Sequence, residues 1–184
     1  MSELASSGQL RAALIRWALV LVPGVLLLGF LSGAVGASGP ENPWFNALVK
    51  PSLYPPPATF GIVWSILYVM MGLAAALAVT ARGAAGRGLA LALFALQLLL
   101  NLAWSPVFFA MQEMEWALWL LLAIDLAVAI TLVLFWRVRP LAGLLLVPYL
   151  AWVLFATVLN WQFVEANPDG GKAGGAETSV DFEA

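Results

Sequence analysis

Apolar residues run along the chain in five long blocks, near 12–37, 59–81, 87–110, 116–136 and 140–163, separated by short clusters of polar residues, glycine and proline. None of the blocks alternates apolar and polar residues at period two. Each reaches about 20 residues or more, the length that crosses the hydrocarbon core of a bilayer. In that medium only helices or closed barrels satisfy every backbone group, so the pattern predicts five transmembrane α-helices. The expected fold class is an all-α membrane protein, a five-helix bundle over residues 1–163, with the lipid bilayer as its surroundings.

The connector after the first block is "KPSLYPPP", residues 50–57, with four prolines in eight positions. Proline-dense chain is stiff and loses little entropy on ordering. Such a segment is either a plain rigid connector or a lid over a cavity, with Leu53 and Tyr54 directed inward. At the other end, residues 164–184 include "NPDGGKAGGAETSVDFEA", which is glycine-rich, acidic and almost free of large apolar residues. It is expected to form a disordered acidic tail.

Composition narrows the chemistry. The chain is 63% hydrophobic and 10% charged, where a soluble domain carries about 25% charged residues. It has neither cysteine nor histidine. Thiol catalysis, disulfides, thiolate metal sites and histidine-ligated haem are thereby removed, and no metal or cofactor is expected. No nucleic-acid partner is expected either. Arg11, Arg16, Arg82, Arg87, Arg137 and Arg139 fall on one side when five helices are threaded. By the bias of basic residues toward the cytoplasm, the N-terminus faces inward and the C-terminus outward. Five α-helices suit a bacterial inner membrane. A cleaved signal peptide within residues 1–37 is the alternative reading of the first block; four spans would then remain in the same orientation. No internal repeat of the kind found in many secondary transporters is present.

Polar and aromatic residues collect in the outward half. Trp44, Trp64, Trp104, Trp116, Trp119 and Trp161 map there, while Trp17 and Trp136 lie toward the cytoplasmic side. An interfacial aromatic belt explains many of these indoles, but not Trp152, which is too deep. Gln97, Asn101 and Trp104 stand at i, i+4 and i+7, on one helical face. Amides are costly in hydrocarbon, so this face points into the bundle, either for helix–helix hydrogen bonding or to line a ligand pocket. Trp64 and Tyr68 share a face of the second span, and Trp152, Ala156 and Asn160 share one in the fifth. Together they suggest a cavity for a planar, largely apolar molecule. Asp125 is the one carboxylate within a span and reads as a hydrogen-bonded structural group or as the centre of an ion-coupled carrier. Ala84, Gly88 and Ala92 are spaced for close helix contact at the start of the third span and offer a homodimer face, with Gly29 and Gly33 as a rival.

The segments "WFNALVKPSLYPPP", "VWSILY", "LQLLLNLAWSPVFF" and "VPYLAWVLFATVLNW" occur in order between about residues 20 and 163. Their combination resembles the TspO/MBR family, the translocator proteins and tryptophan-rich sensory proteins once called peripheral benzodiazepine receptors. The resemblance implies a five-helix fold that often dimerises and that binds porphyrins, sterols and benzodiazepine-type drugs beneath the first loop. It implies ligand-lining roles for Trp64, Tyr68, Gln97, Asn101, Trp104, Trp152 and Ala156, with Tyr54 and Pro55 in the lid. Trp64 and Trp152 also match tryptophans implicated in photochemical porphyrin breakdown by some bacterial relatives. Where the family usually has tyrosine this chain has Phe45, and where it usually has tryptophan it has Leu53. No basic residue follows Trp161 in "VLNWQFVEAN", so the sterol motif of animal relatives is incomplete.

Three functions compete at this level. The first is a receptor or transport-like regulator that binds tetrapyrroles as ligand rather than cofactor. The second is light-dependent porphyrin degradation with Trp64 and Trp152 as donors. The third is a small carrier using Asp125.

Overall fold

The computed structural model describes residues 6–170. Among these described residues are six α-helices: α1 (Ser7–Val35), the short α2 (Pro43–Ala47), α3 (Pro57–Thr80), α4 (Arg87–Ser105), α5 (Met114–Val138) and α6 (Pro140–Ala166). α4 continues through a π-turn at Pro106–Ala110. Five of these segments are long and apolar enough to span a membrane: α1, α3, α4 with its π-turn, α5 and α6. The protein is therefore an all-helical, multi-pass membrane protein, and among the described residues there is no strand.

The helix ends depart from the hydrophobic blocks for local reasons. α1 begins at Ser7 rather than near residue 12 because Ser6 and Gln9 make a capping box: the Ser6 hydroxyl accepts from the Gln9 N–H at 3.3 Å, and the Ser6 N–H donates to Gln9 Oε1 at 2.8 Å. Pro23 and Pro148 lie inside α1 and α6 without ending them, as neighbouring groups in a membrane bundle permit. α6 runs to Ala166, and Asn167–Gly170 follow in contact with the first loop. The first residues of the expected tail are thus helical or bonded to the first loop; residues 171–184, the rest of it, lie outside the described residues.

Around the bundle α1 packs on α3, α3 on α6, α6 on α5 and α5 on α4, while α4 touches α1 and α3 to close the ring. Close approach of α1 to α3 depends on missing side chains. A Cβ at Gly72 would sit 2.6 Å from Val22 Cα, and one at Gly29 would fall 2.1 Å from the Tyr68 ring. Gly29 is consequently used inside the bundle and offers no surface to a second copy. Ala84 lies in the turn before α4 rather than on it, so the small-residue line reduces to Gly88 and Ala92, both exposed.

The core has two parts. One runs through the middle of the bundle and includes Met71, Phe94, Ile124, Phe135, Leu146 and Tyr149, with Phe94 and Phe135 stacked at 5.5 Å. The other lies beneath the first loop, where Phe45 and Leu48 meet Phe108, Met114, Leu159 and Phe163. Large apolar side chains such as Leu19, Ile62, Leu99, Leu126 and Leu154 are exposed on the outside, as expected where lipid rather than water is the solvent.

Candidate functional site: an aromatic cavity under the first loop

The roof is built by residues 36–56. Asn42 caps α2 by accepting from the Phe45 N–H at 3.0 Å, which drives the Phe45 ring into the bundle. There it packs on Phe108, Phe109 and Phe163 at centroid separations of 6.2, 5.1 and 5.6 Å. Lys50 Nζ lies 4.3 Å from the Phe45 ring centroid and donates to the carbonyls of Phe45 and Leu48. Tyr54 turns inward between Phe45, Phe60 and Phe163. Burial lowers the Lys50 ammonium and raises the Tyr54 phenol relative to their ordinary values. The phenol at the roof is therefore neutral at physiological pH. Leu53, expected to point inward with Tyr54, instead faces out and is 48% exposed.

The roof is tied down from α6. Asn167 Oδ1 accepts from the Val49 N–H at 2.8 Å, and Asn167 Nδ2 donates to the Val49 carbonyl at 3.1 Å. Trp44 Nε1 donates to the Gly170 carbonyl at 3.1 Å. Sequence reasoning missed this latch because "EANPDG" has the composition of a solvated tail.

Beneath the roof is a cavity of about 710 Å³. The end of α1 forms one wall, and α3, α4 with its π-turn, and α6 form the others. Seven of the residues expected at the site line it: Tyr54, Trp64, Tyr68, Asn101, Trp104, Trp152 and Ala156. Trp64 stacks on Tyr68 at 5.2 Å, and the Tyr68 hydroxyl donates to Asn101 Oδ1 at 3.3 Å. Trp104 Nε1 donates to Asn160 Oδ1 at 3.2 Å, and Asn160 Nδ2 donates to the Met114 carbonyl at 2.9 Å. The π-turn, closed by the Met111 N–H on the Pro106 carbonyl, holds Phe108 stacked on Trp104 at 5.1 Å and Phe109 edge-on to Phe108 at 4.9 Å.

Two expected members stand elsewhere. Gln97 is 1% exposed and accepts from the Tyr149 hydroxyl at 2.8 Å, one helical turn deeper than Asn101 and outside the lining. It serves helix–helix contact rather than the cavity. Pro55 is also outside the lining, and Pro57 takes a place there. Asp125 lies apart as well: Thr157 donates to its Oδ2 at 2.7 Å between α5 and α6, and Asp125 is not among the lining residues. Conversely, Ser32 and Gly33 at the end of α1, Ala37 just beyond it, Phe60, Phe108 and Phe163 line the cavity without having been expected there.

Chemically the cavity is an apolar, aromatic-walled space with few polar atoms, the usual make-up of a small-molecule site. Trp152 and Ser105 are lining residues, while Trp152 Nε1 and Ser105 Oγ are themselves buried without a protein hydrogen-bond partner. Among the described residues no group of His, Cys, Asp and Glu is arranged to hold a metal ion.

The profile of the TspO/MBR family matches residues 19–165. The chain is 41% identical over 136 residues to the human translocator protein, covering 73% of this chain and 80% of that protein. It is 38% identical over 151 residues to the tryptophan-rich protein TspO of Chlorobaculum tepidum, covering 82% and 96% respectively. To protein CrtK of Rhodobacter capsulatus it is 38% identical over 141 residues, 74% of this chain and 86% of the relative. Matched across its cavity walls and all five spans, the chain belongs to the TspO/MBR family.

Proposed function

We propose that the protein is a membrane receptor or transport-like regulator that binds tetrapyrroles of the protoporphyrin kind in the cavity beneath the first loop. The carrying observation is the cavity of about 710 Å³ flanked by Trp64, Trp104 and Trp152 with Tyr68. Flat aromatic faces suit a planar macrocycle through offset stacking. Without histidine or cysteine in the chain, binding by stacking favours a metal-free porphyrin over tightly ligated haem. Titrating the purified protein with protoporphyrin, haem and a sterol while following tryptophan fluorescence tests the reading. Saturable quenching strongest with protoporphyrin is expected, and equal weak quenching by all three overturns it.

A second reading, light-dependent porphyrin degradation, is favoured by the stacking of Trp64 on Tyr68 within the same lining, which places two oxidisable rings beside a guest. Absorbance of the porphyrin complex in light and darkness separates the two readings. Bleaching no faster than in detergent alone rejects the enzyme.

The finer placement follows the same reading. The basic residues orient the N-terminus to the cytoplasm and the roofed cavity to the opposite side, in a bacterial inner membrane. Gly88 and Ala92, exposed on α4, offer a flat face for a second copy. Crosslinking in native membranes tests that dimer.

A further inference from the structure

The outside of the bundle carries a second hollow that shares no lining residue with the roofed cavity. Val107 and Met111 form one side, Trp116, Trp119 and Leu120 of α5 the other, and Glu113 stands at its edge. Trp116 and Trp119 are three residues apart on a helix, hence neighbours on one face. They are 69% and 66% exposed, so their ring faces are open. Glu113 lies one further turn back on the same line, just before α5 begins.

Depth in the membrane follows from length. α5 has 25 residues, about 37 Å at 1.5 Å per residue, against a hydrocarbon core of about 30 Å. With Arg137 in its last turn, its first turn stands at the level of the lipid headgroups on the opposite side. An interfacial belt explains two indoles at that depth. It does not call for a carboxylate sharing one hollow with them, and no Lys or Arg lines the hollow to neutralise it.

Indole faces beside a single carboxylate form a receptor for an organic cation. A quaternary ammonium fits best: its charge is spread over methyl groups, it is weakly hydrated, and it gains most from aromatic faces. At this position in the bilayer the available source is a lipid headgroup. We propose that the hollow docks a choline-headgroup lipid. The trimethylammonium lies against Trp116 and Trp119, the Glu113 carboxylate supplies the countercharge, and the acyl chains run inward along Leu120 and Val107.

Native mass spectrometry of the detergent-purified full-length protein tests this. The protein is offered equal amounts of phosphatidylcholine, phosphatidylethanolamine and phosphatidylglycerol with identical chains, and the retained lipids are counted. Phosphatidylcholine should be retained about two- to fivefold above the other two. Glu113→Gln and Trp119→Leu should each bring it to the level of phosphatidylglycerol, with thermal melting unchanged because both side chains lie at the surface. Equal retention of the three lipids in the unaltered protein overturns the proposal, as does a choline preference that survives both substitutions. Phosphatidylethanolamine retained as well as phosphatidylcholine overturns the choline assignment by reducing the effect to charge alone.

Discussion

Asn167 grips Val49 by both backbone groups, accepting from its N–H and donating to its carbonyl, across 118 positions of sequence. The side-chain amide thereby acts as a one-residue strand partner for the roof. Its Nδ2 also donates to the Phe163 carbonyl at 2.9 Å, which anchors the amide to the last turn of α6. We predict that Asn167→Ala frees the roof without unfolding the bundle. Losing hydrogen bonds at a buried amide corresponds to about 1–3 kcal/mol, so backbone amides of residues 43–54 should exchange with solvent roughly tenfold faster or more. Hydrogen-exchange mass spectrometry reads this directly, with the amides of α3 and α5 as internal reference. An unaltered roof would mean that the aromatic packing of Phe45 and Tyr54 holds it alone.

Gly29 and Gly88 should respond in opposite directions to the same change. A methyl group at Gly29 collides with the Tyr68 ring, whereas one at Gly88 meets nothing within 4 Å. Gly29→Ala is expected to lower stability by about 1–3 kcal/mol through overpacking and to weaken guest binding, since Tyr68 lines the cavity. Gly88→Ala should raise stability by up to about 1 kcal/mol through helix propensity. Thermal melting of both variants in one detergent makes the comparison. A destabilised Gly88→Ala protein would instead favour a close contact between copies at that face.

Trp152 and Gln97 separate binding from support. Trp152 lines the cavity, so Trp152→Ala should weaken protoporphyrin binding about two- to tenfold, in keeping with the worth of an aromatic contact. Gln97→Leu leaves the Tyr149 hydroxyl buried without its acceptor. It should cost about 1–3 kcal/mol of stability and leave the affinity of the folded protein nearly unchanged. Fluorescence titration and thermal melting of the two variants check both halves. Equal loss of affinity in both would show that Gln97 reaches the guest after all.

Asp125 should tolerate conversion to an amide. Thr157 donates to Asp125 Oδ2, and an asparagine carbonyl oxygen accepts the same hydrogen bond. Asp125→Asn is therefore predicted to keep both melting temperature and porphyrin affinity, while Asp125→Leu loses the bond and about 1 kcal/mol of stability. A change in uptake or release of protons on guest binding in Asp125→Asn, measured in weakly buffered solution, would contradict a structural role.

The spans were legible in sequence because hydrocarbon imposes a length and a composition that few other folds require. Their ends were less so. Ser6 and Gln9 extend α1 into a polar stretch through a cap, and Glu165 continues α6 past its apolar run. Both effects are invisible to hydropathy. Within the site, helical spacing assigns a residue to a face but not to a depth or a neighbour. Asn101, Trp104, Trp152 and Ala156 are at the depth of the cavity, while Gln97 on the same face as Asn101 falls beside Tyr149 of α6. The contribution of α1 was hidden for another reason. Ser32 and Ala37 are too small to stand out in a sequence, and Gly33 stood out only as part of a dimer face, yet all three line the cavity.

One rod performs two tasks in this architecture: α6 presents Trp152 and Ala156 to the cavity and, at its C-cap, Asn167 to the roof. A molecule broad enough to push that rod outward would strain its own bolt, and a loosened bolt would let the wall yield. For a guest bound in this cavity, admission size and dwell time would then be coupled through a single helix, each reciprocally biasing the other. Selection for a larger guest would be felt first as leakiness.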